Sequence, residues 1–183
     1  MNEVGGVRKF WFALRVKPRC ETLTASALDG KGFEQFLPLQ TVRRRWSDRV
    51  KTSETPLFPG YVFCRFDPQK RLPILITPGV SSIIGFGKDP TPVADEEISS
   101  LQAVVKSGLF SAPCPFIGIG HKIRIDVGPL CGTEGIVTQV KNSTRLVVSI
   151  TLLQRSVAVE IDRLWVSTSS TPRDWTQASL RIV

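Results

Sequence analysis

The sequence is poor in the side chains that usually do chemistry. Its 183 residues include one histidine, His121, so neither a histidine-based triad nor a multi-histidine metal site can be built within one chain. The four cysteines, Cys20, Cys64, Cys114 and Cys131, lie at least 17 positions apart, which leaves no CxxC pair. That spacing argues against a zinc site and against a disulfide framework, and reduced packing thiols are expected. No GxSxG, phosphate-loop or GxGxxG string occurs. The expectation is a protein with no catalytic residues, no metal and no cofactor. No apolar run approaches the roughly 18 residues of a membrane span. The opening stretch, Met1 to Leu14, lacks a long apolar core and a small-residue cleavage site, so no signal peptide is evident. A cytoplasmic protein without membrane contact is expected.

Basic residues are the excess that is present: 24 Lys and Arg against 16 Asp and Glu, for a net charge of +8. Hydrophobic residues at 42% and charged ones at 22% argue against wholesale disorder. Fourteen glycines and thirteen prolines imply many turns. The length allows one or two domains at roughly 150 residues each. A connector is expected at 108–117, where Gly108, Pro113 and Pro115 fall.

The first block reads as mixed α and β. Lys9–Val16 is a buried-type strand stopped by Lys17 and Pro18. A helix is expected from about Arg19 to Lys31, with Cys20, Leu23, Ala27 and Leu28 on its buried face. Phe33–Val42 reads as extended. Arg43-Arg-Arg-Trp-Ser-Asp-Arg-Val-Lys51 then packs five basic residues and one acid around Trp46, in the position of a hairpin tip. After Phe58-Pro-Gly60 comes a strand, Tyr61–Phe66, in which Tyr61 and Phe63 share one face and Val62 and Cys64 the other. A short helical turn at Asp67, a strand at Val80–Phe86 and a helix from Asp95 complete the block. Ile98, Leu101, Val104 and Val105 line one face of that helix, and its acidic first turn suits the helix dipole.

The second block reads as all β. Ile123, Ile125 and Val127 alternate with period two and are expected to point one way, as are Val157, Val159 and Ile161. About five short strands in roughly 50 residues indicate a small closed or nearly closed barrel. Residues 121–161 are expected to stay β rather than to refold as helix.

Three strings carry a resemblance: Trp11–Glu21, Leu57–Asp67 with Pro78-Gly-Val80, and Gly120–Gly135 with Val147–Asp162. Together they resemble the NusG family of transcription factors. The implied fold is an α+β NGN domain, an antiparallel sheet flanked by helices, followed by an all-β KOW domain, a small SH3-like barrel. The implied boundaries are NGN at 8–107, a linker at 108–117, KOW at 118–167 and a flexible tail at 168–183. A monomer is expected.

The resemblance also implies partners. The NGN domain would bind the clamp helices of the largest RNA polymerase subunit through an apolar surface of Trp11, Phe58, Pro59, Tyr61, Phe63 and Ile83. It would bridge toward the gate loop of the second large subunit through Lys70 and Arg71, though the His/Thr-rich loop of RfaH-type relatives is absent. DNA or nascent RNA would meet Arg43, Arg44, Arg45, Trp46, Arg49 and Lys51, extended by Arg15, Lys17 and Arg19. Guanidinium groups suit phosphates and Trp46 offers a stacking platform. The KOW domain would recruit Rho or a small ribosomal subunit protein through Leu130, Leu152, Leu153 and Arg155. Leu130 and Leu153 stand where several relatives place phenylalanine. Housekeeping and operon-specific variants, RfaH-like or of the capsule-operon type, both remain open, and a ribosome-associated RNA-binding KOW protein is the alternative.

Overall fold

A computed structural model describes residues 8–45, 50–87, 89–115, 122–140, 143–162 and 165. The N-terminal sheet grows from two hydrophobic strands, β1 (Phe10–Val16) and β5 (Tyr61–Phe66). They pair antiparallel with Ala13 opposite Phe63 and Leu14 opposite Val62. Strand β2 (Glu34–Phe36) pairs with β5 on the outside. The other edge of β1 is shared by β6 (Val80–Ile83) and β9 (Pro92–Val93), giving the order β2-β5-β1-β6 with β9 beside β1. Two ribbons stand apart from this sheet: β3 (Leu39–Arg45) with β4 (Val50–Pro56), and β7 (Gly85–Phe86) with β8 (Asp89–Pro90). The expected single strand Val80–Phe86 is therefore two strands in different sheets.

Strand alternation sorts the side chains onto two faces. Phe12, Leu14, Val16, Val62, Cys64 and Phe66 are buried with Ala25 and Leu28 of helix α1 (Glu21–Gly30) and with Ile74 of the short helix α2 (Leu72–Leu75). The Phe12 and Phe66 rings sit 4.6 Å apart there. Trp11, Ala13 and Phe63 point the other way, against Ile98, Leu101 and Val104 of helix α3 (Asp95–Ser107). That helix is as expected, with three acids in its first turn and left-handed Gly108 at its C-terminal cap.

Helix α1 corrects the expected buried face. It buries Glu21, Thr24, Ala25 and Leu28, whereas Leu23 is 61% exposed. Counting apolar residues misassigned the face because two buried positions, Glu21 and Thr24, are polar groups satisfied by hydrogen bonds to turns.

The C-terminal sheet is built from β10 (Ser111–Pro115), β11 (Lys122–Arg124), β12 (Glu134–Val140), β13 (Ser143–Ile150) and β14 (Arg155–Ile161). Their order is β10-β14-β13-β12-β11, all antiparallel. The expected connector 108–117 is corrected here, because Ser111–Pro115 is an edge strand paired along β14. Its prolines are compatible with an edge, where one side of the strand has no ladder to donate to. Val127, expected to face inward with Ile125, is 55% exposed, since β11 ends at Arg124 and the alternation stops there. Val157, Val159 and Ile161 are buried together as expected. His121 and the tail 168–183 lie outside the described residues.

Two measurements check this packing. Phe12→Ala should cost about 3–5 kcal/mol and Leu28→Ala about 2–5 kcal/mol in urea unfolding, against at most about 0.5 kcal/mol for Leu23→Ala. Equal costs at Leu23 and Leu28 would contradict the assigned face. Burial, reinforced by the Glu34 carboxylate, pushes the Cys64 thiol from 9.0 up to about 12. A thiol reagent at about pH 8 should therefore label exposed Cys131 in the native protein and reach Cys64 only on unfolding. Since the folded value lies above the unfolded one, the stability this thiol contributes is whole below pH 9 and declines as pH rises towards 12.

Candidate functional site

The turn Phe58–Tyr61 joins the β3–β4 ribbon to β5. Leu57 N–H donates to the Pro38 carbonyl at 2.9 Å, which ties the ribbon's base, and Tyr61 N–H donates to the Phe58 carbonyl at 3.1 Å, which closes the turn. Gly60 has φ of 84°, a conformation that a Cβ would strain. The turn drops Phe58 beside Phe63, edge to face with ring centroids 5.9 Å apart, and Phe36 stacks on Phe63 with centroids 6.2 Å apart. Trp11, Phe58, Tyr61 and Phe63 thus converge on one face of the sheet.

One of the expected companions is elsewhere. Ile83 lies opposite Leu14 in the β1–β6 register and packs with the α1 cluster on the reverse face. Pro59, second in the turn, is exposed. A β6 residue paired with Leu14 takes the side of Leu14, which only the pairing register reveals.

The aromatic face is not bare. Trp11, Phe58 and Phe63 are almost fully buried, and Tyr61 is half-buried. Their cluster continues into Ile125, Leu130, Leu146, Val148, Ile150, Val157 and Val159 of the C-terminal sheet. Helix α3 lies between, packed on β1 and on β12 and β13. Polar contacts accompany this packing. The Arg155 guanidinium sits 5.1 Å from the centre of the Tyr61 ring. The Glu97 carboxylate accepts from the Thr151 N–H, with both oxygens at 3.2–3.3 Å.

The residues expected to anchor a second partner are drawn into the same contact. Leu130 is fully buried as a core residue of the C-terminal sheet, so it offers no anchor in this conformation. Leu152 and Leu153, in a 3-10 turn at Thr151–Leu153, are half-buried against the shared cluster, and Arg155 lies over Tyr61. A hydrophobic residue after a glycine turn has the same local sequence whether it faces solvent or core.

The basic residues divide. Arg43, Arg44, Arg45 and Lys51 lie on the β3–β4 ribbon, with Arg44 opposite Lys51, while Trp46 and Arg49 fall outside the described residues. Arg15, Lys17 and Arg19 are exposed at the end of β1 and in the bend after it. Lys70 and Arg71 are exposed at the short turn Pro68–Lys70, which Asp67 caps by accepting from Gln69 N–H. Among the described residues there is no cluster of three metal-ligating side chains, and no helix is long and apolar enough to cross a membrane.

Comparison with known proteins fits this architecture. Residues 9–102 match the family model described as "Transcription termination factor nusG". A "Transcription termination/antitermination protein NusG" from Campylobacter jejuni is 30% identical over 167 residues, covering 82% of this chain and 92% of the relative. Its counterpart from Thermus thermophilus is 27% identical over 154 residues, covering 76% and 83%. The solved structure "Domain interaction in Thermotoga maritima NusG" superposes with a TM-score of 0.54 at 18% identity, over 89% of this chain and 98% of that one, and supports the fold. The chain therefore belongs to the NusG family of non-enzymatic transcription termination and antitermination factors.

Proposed function

We propose that this chain acts during transcript elongation by docking its aromatic face, Trp11, Phe58, Tyr61 and Phe63, on the clamp helices of RNA polymerase, and so modulates pausing, termination or antitermination. The observation that carries the reading is the convergence of four aromatic side chains on one sheet face, where a turn and two strands meet. A helix-in-groove contact needs such anchors, and a few of them dominate the affinity. Lys70 and Arg71 are the proposed gate-loop contact, and the β3–β4 ribbon is the proposed contact with DNA or nascent RNA. Rho or a small ribosomal subunit protein is the proposed partner of the C-terminal barrel.

The closed arrangement adds a condition. Barrel residues occupy the same apolar cluster, so a clamp helix and the barrel compete for it. Apparent affinity is then reduced by the fraction of molecules that are open. The half-buried Leu152 and Leu153 and the engaged Arg155 become available to a barrel partner in that same opening.

Binding of the full chain to purified core polymerase tests the reading. Tyr61→Ala should weaken it by at least about tenfold, the scale of losing a central aromatic anchor. Arg155→Ala should tighten it a few-fold, because removing a cation–π contact worth about 0.5–2 kcal/mol favours the open form. Unchanged affinity on Tyr61→Ala, or recovery with ribosomes and not with polymerase, would overturn it. Replacing Arg43, Arg44 and Arg45 by Gln should weaken nucleic-acid binding evenly across sequences. The salt slope should fall by about 0.7–0.9 for each phosphate that is no longer neutralised. Weakening confined to one sequence would contradict a backbone contact.

A further inference from the structure

Glu21 is a carboxylate buried at the first position of α1. Its Oε1 accepts from the Gly60 N–H at 2.9 Å, across 39 residues of sequence. Gly60 is the third residue of the turn closed by Tyr61 N–H and the Phe58 carbonyl. Proline at the second place and a positive-φ glycine at the third make this the type II pattern. Types I and II differ chiefly by a flip of the central peptide, here Pro59–Gly60. An acceptor on the Gly60 N–H therefore selects which way that peptide points.

The neighbouring contacts hold the carboxylate in place. Val16 N–H donates to the Gly60 carbonyl at 2.9 Å, and Lys17 N–H to the Gly79 carbonyl at 2.8 Å. Thr24, one turn along α1, donates to the Pro78 carbonyl at 3.1 Å. A Cβ on Gly79 would collide with the Thr24 hydroxyl, so the turn sits directly on the helix. The bend that aims α1 passes through Arg19 at φ of 64°, a left-handed position for a residue with a side chain. The first turn of α1 thus grips both the 58–61 and the 77–80 turns.

We infer that Glu21 is a positioning residue for the docking turn: by fixing the Pro59–Gly60 peptide it sets how Phe58 and Tyr61 are presented to the partner. This rests on the docking reading above. The hydrogen bond to a charged acceptor is of the strong kind, and losing it leaves a half-buried amide without its partner.

The test compares the full chain with Glu21→Ala and with Glu21→Gln, which keeps an acceptor. Three quantities are followed: the Gly60 amide proton by NMR, the ring resonance of Tyr61, the only tyrosine, and affinity for core polymerase. Glu21→Ala should move the Gly60 amide upfield, speed its exchange, shift the Tyr61 ring and weaken polymerase binding about tenfold. Glu21→Gln should restore most of the Tyr61 position and of the affinity. If Glu21→Ala lowers the melting temperature yet leaves the Gly60 amide, the Tyr61 ring and the affinity unchanged, the inference is overturned and Glu21 is merely structural. Should Glu21→Ala fail to fold, Glu21→Asp decides: its shorter side chain falls short of the Gly60 N–H, and an unmoved Gly60 amide, Tyr61 ring and affinity in the folded Glu21→Asp chain would be equally fatal. Failure of the docking reading is separable: polymerase affinity would then ignore Tyr61→Ala, while the Gly60 and Tyr61 resonances would still answer for Glu21.

Discussion

The register between β1 and β5 is the constraint on which the rest depends. Ala13 opposite Phe63 and Leu14 opposite Val62 commit each side chain of both strands to one of two faces. A slip of one residue in β1 would exchange that strand's faces, sending Phe12 and Leu14 to the Phe63 side and Trp11 and Ala13 under α1. With the register as it stands, the α1 side is a closed core of aliphatic residues and two phenylalanines. The opposite side collects Trp11, Phe63, Phe58 and Tyr61, packed with α3 and with residues of the C-terminal sheet. Apolar surface of that kind is satisfied by a partner, internal or external.

The internal partner is the C-terminal sheet. Its core and the aromatic face form one continuous cluster, with Arg155 over Tyr61 and Glu97 at the Thr151 N–H beside it. Surface pairs elsewhere, such as Arg65 with Glu34 at 3.6 Å, are exposed and contribute little. Apolar burial in this shared cluster is the larger part of the contact described between the two units. An association of this kind can be exchanged for another apolar surface at modest net cost. In the proposed function the same side chains serve two occupants in turn, and the half-buried Leu152 and Leu153 change exposure with them.

Much of this was legible in the sequence. Uninterrupted runs such as Phe-Trp-Phe-Ala-Leu and Tyr-Val-Phe-Cys marked the two central strands, and their alternation separated Tyr61 and Phe63 from Val62 and Cys64. The acids before Ile98 and Gly108 after Ser107 bracketed α3 because dipole and cap act locally. What escaped was set at a distance. Glu21 and Thr24 face the interior of α1 because turns 39 and 54 residues away need a hydrogen-bond partner, which no hydrophobic count detects. Pro113 and Pro115 resembled a connector, since nothing local says that the strand has an edge on which to place them. Leu130 and Ile83 have the right chemistry for a docking surface but lie in the interior or on the reverse face, and only strand pairing assigns a face.

Tyr61 is the only tyrosine, so 3-fluorotyrosine gives one fluorine signal at the centre of the proposed interface. The most direct measurement titrates the labelled full chain with a small fragment carrying the polymerase clamp helices and follows that signal. Stoichiometric movement of the Tyr61 resonance, reached at lower fragment concentration in Arg155→Ala, is the predicted result. Binding of the fragment with the Tyr61 resonance unmoved would contradict the account, because the aromatic face would then not be where the polymerase docks.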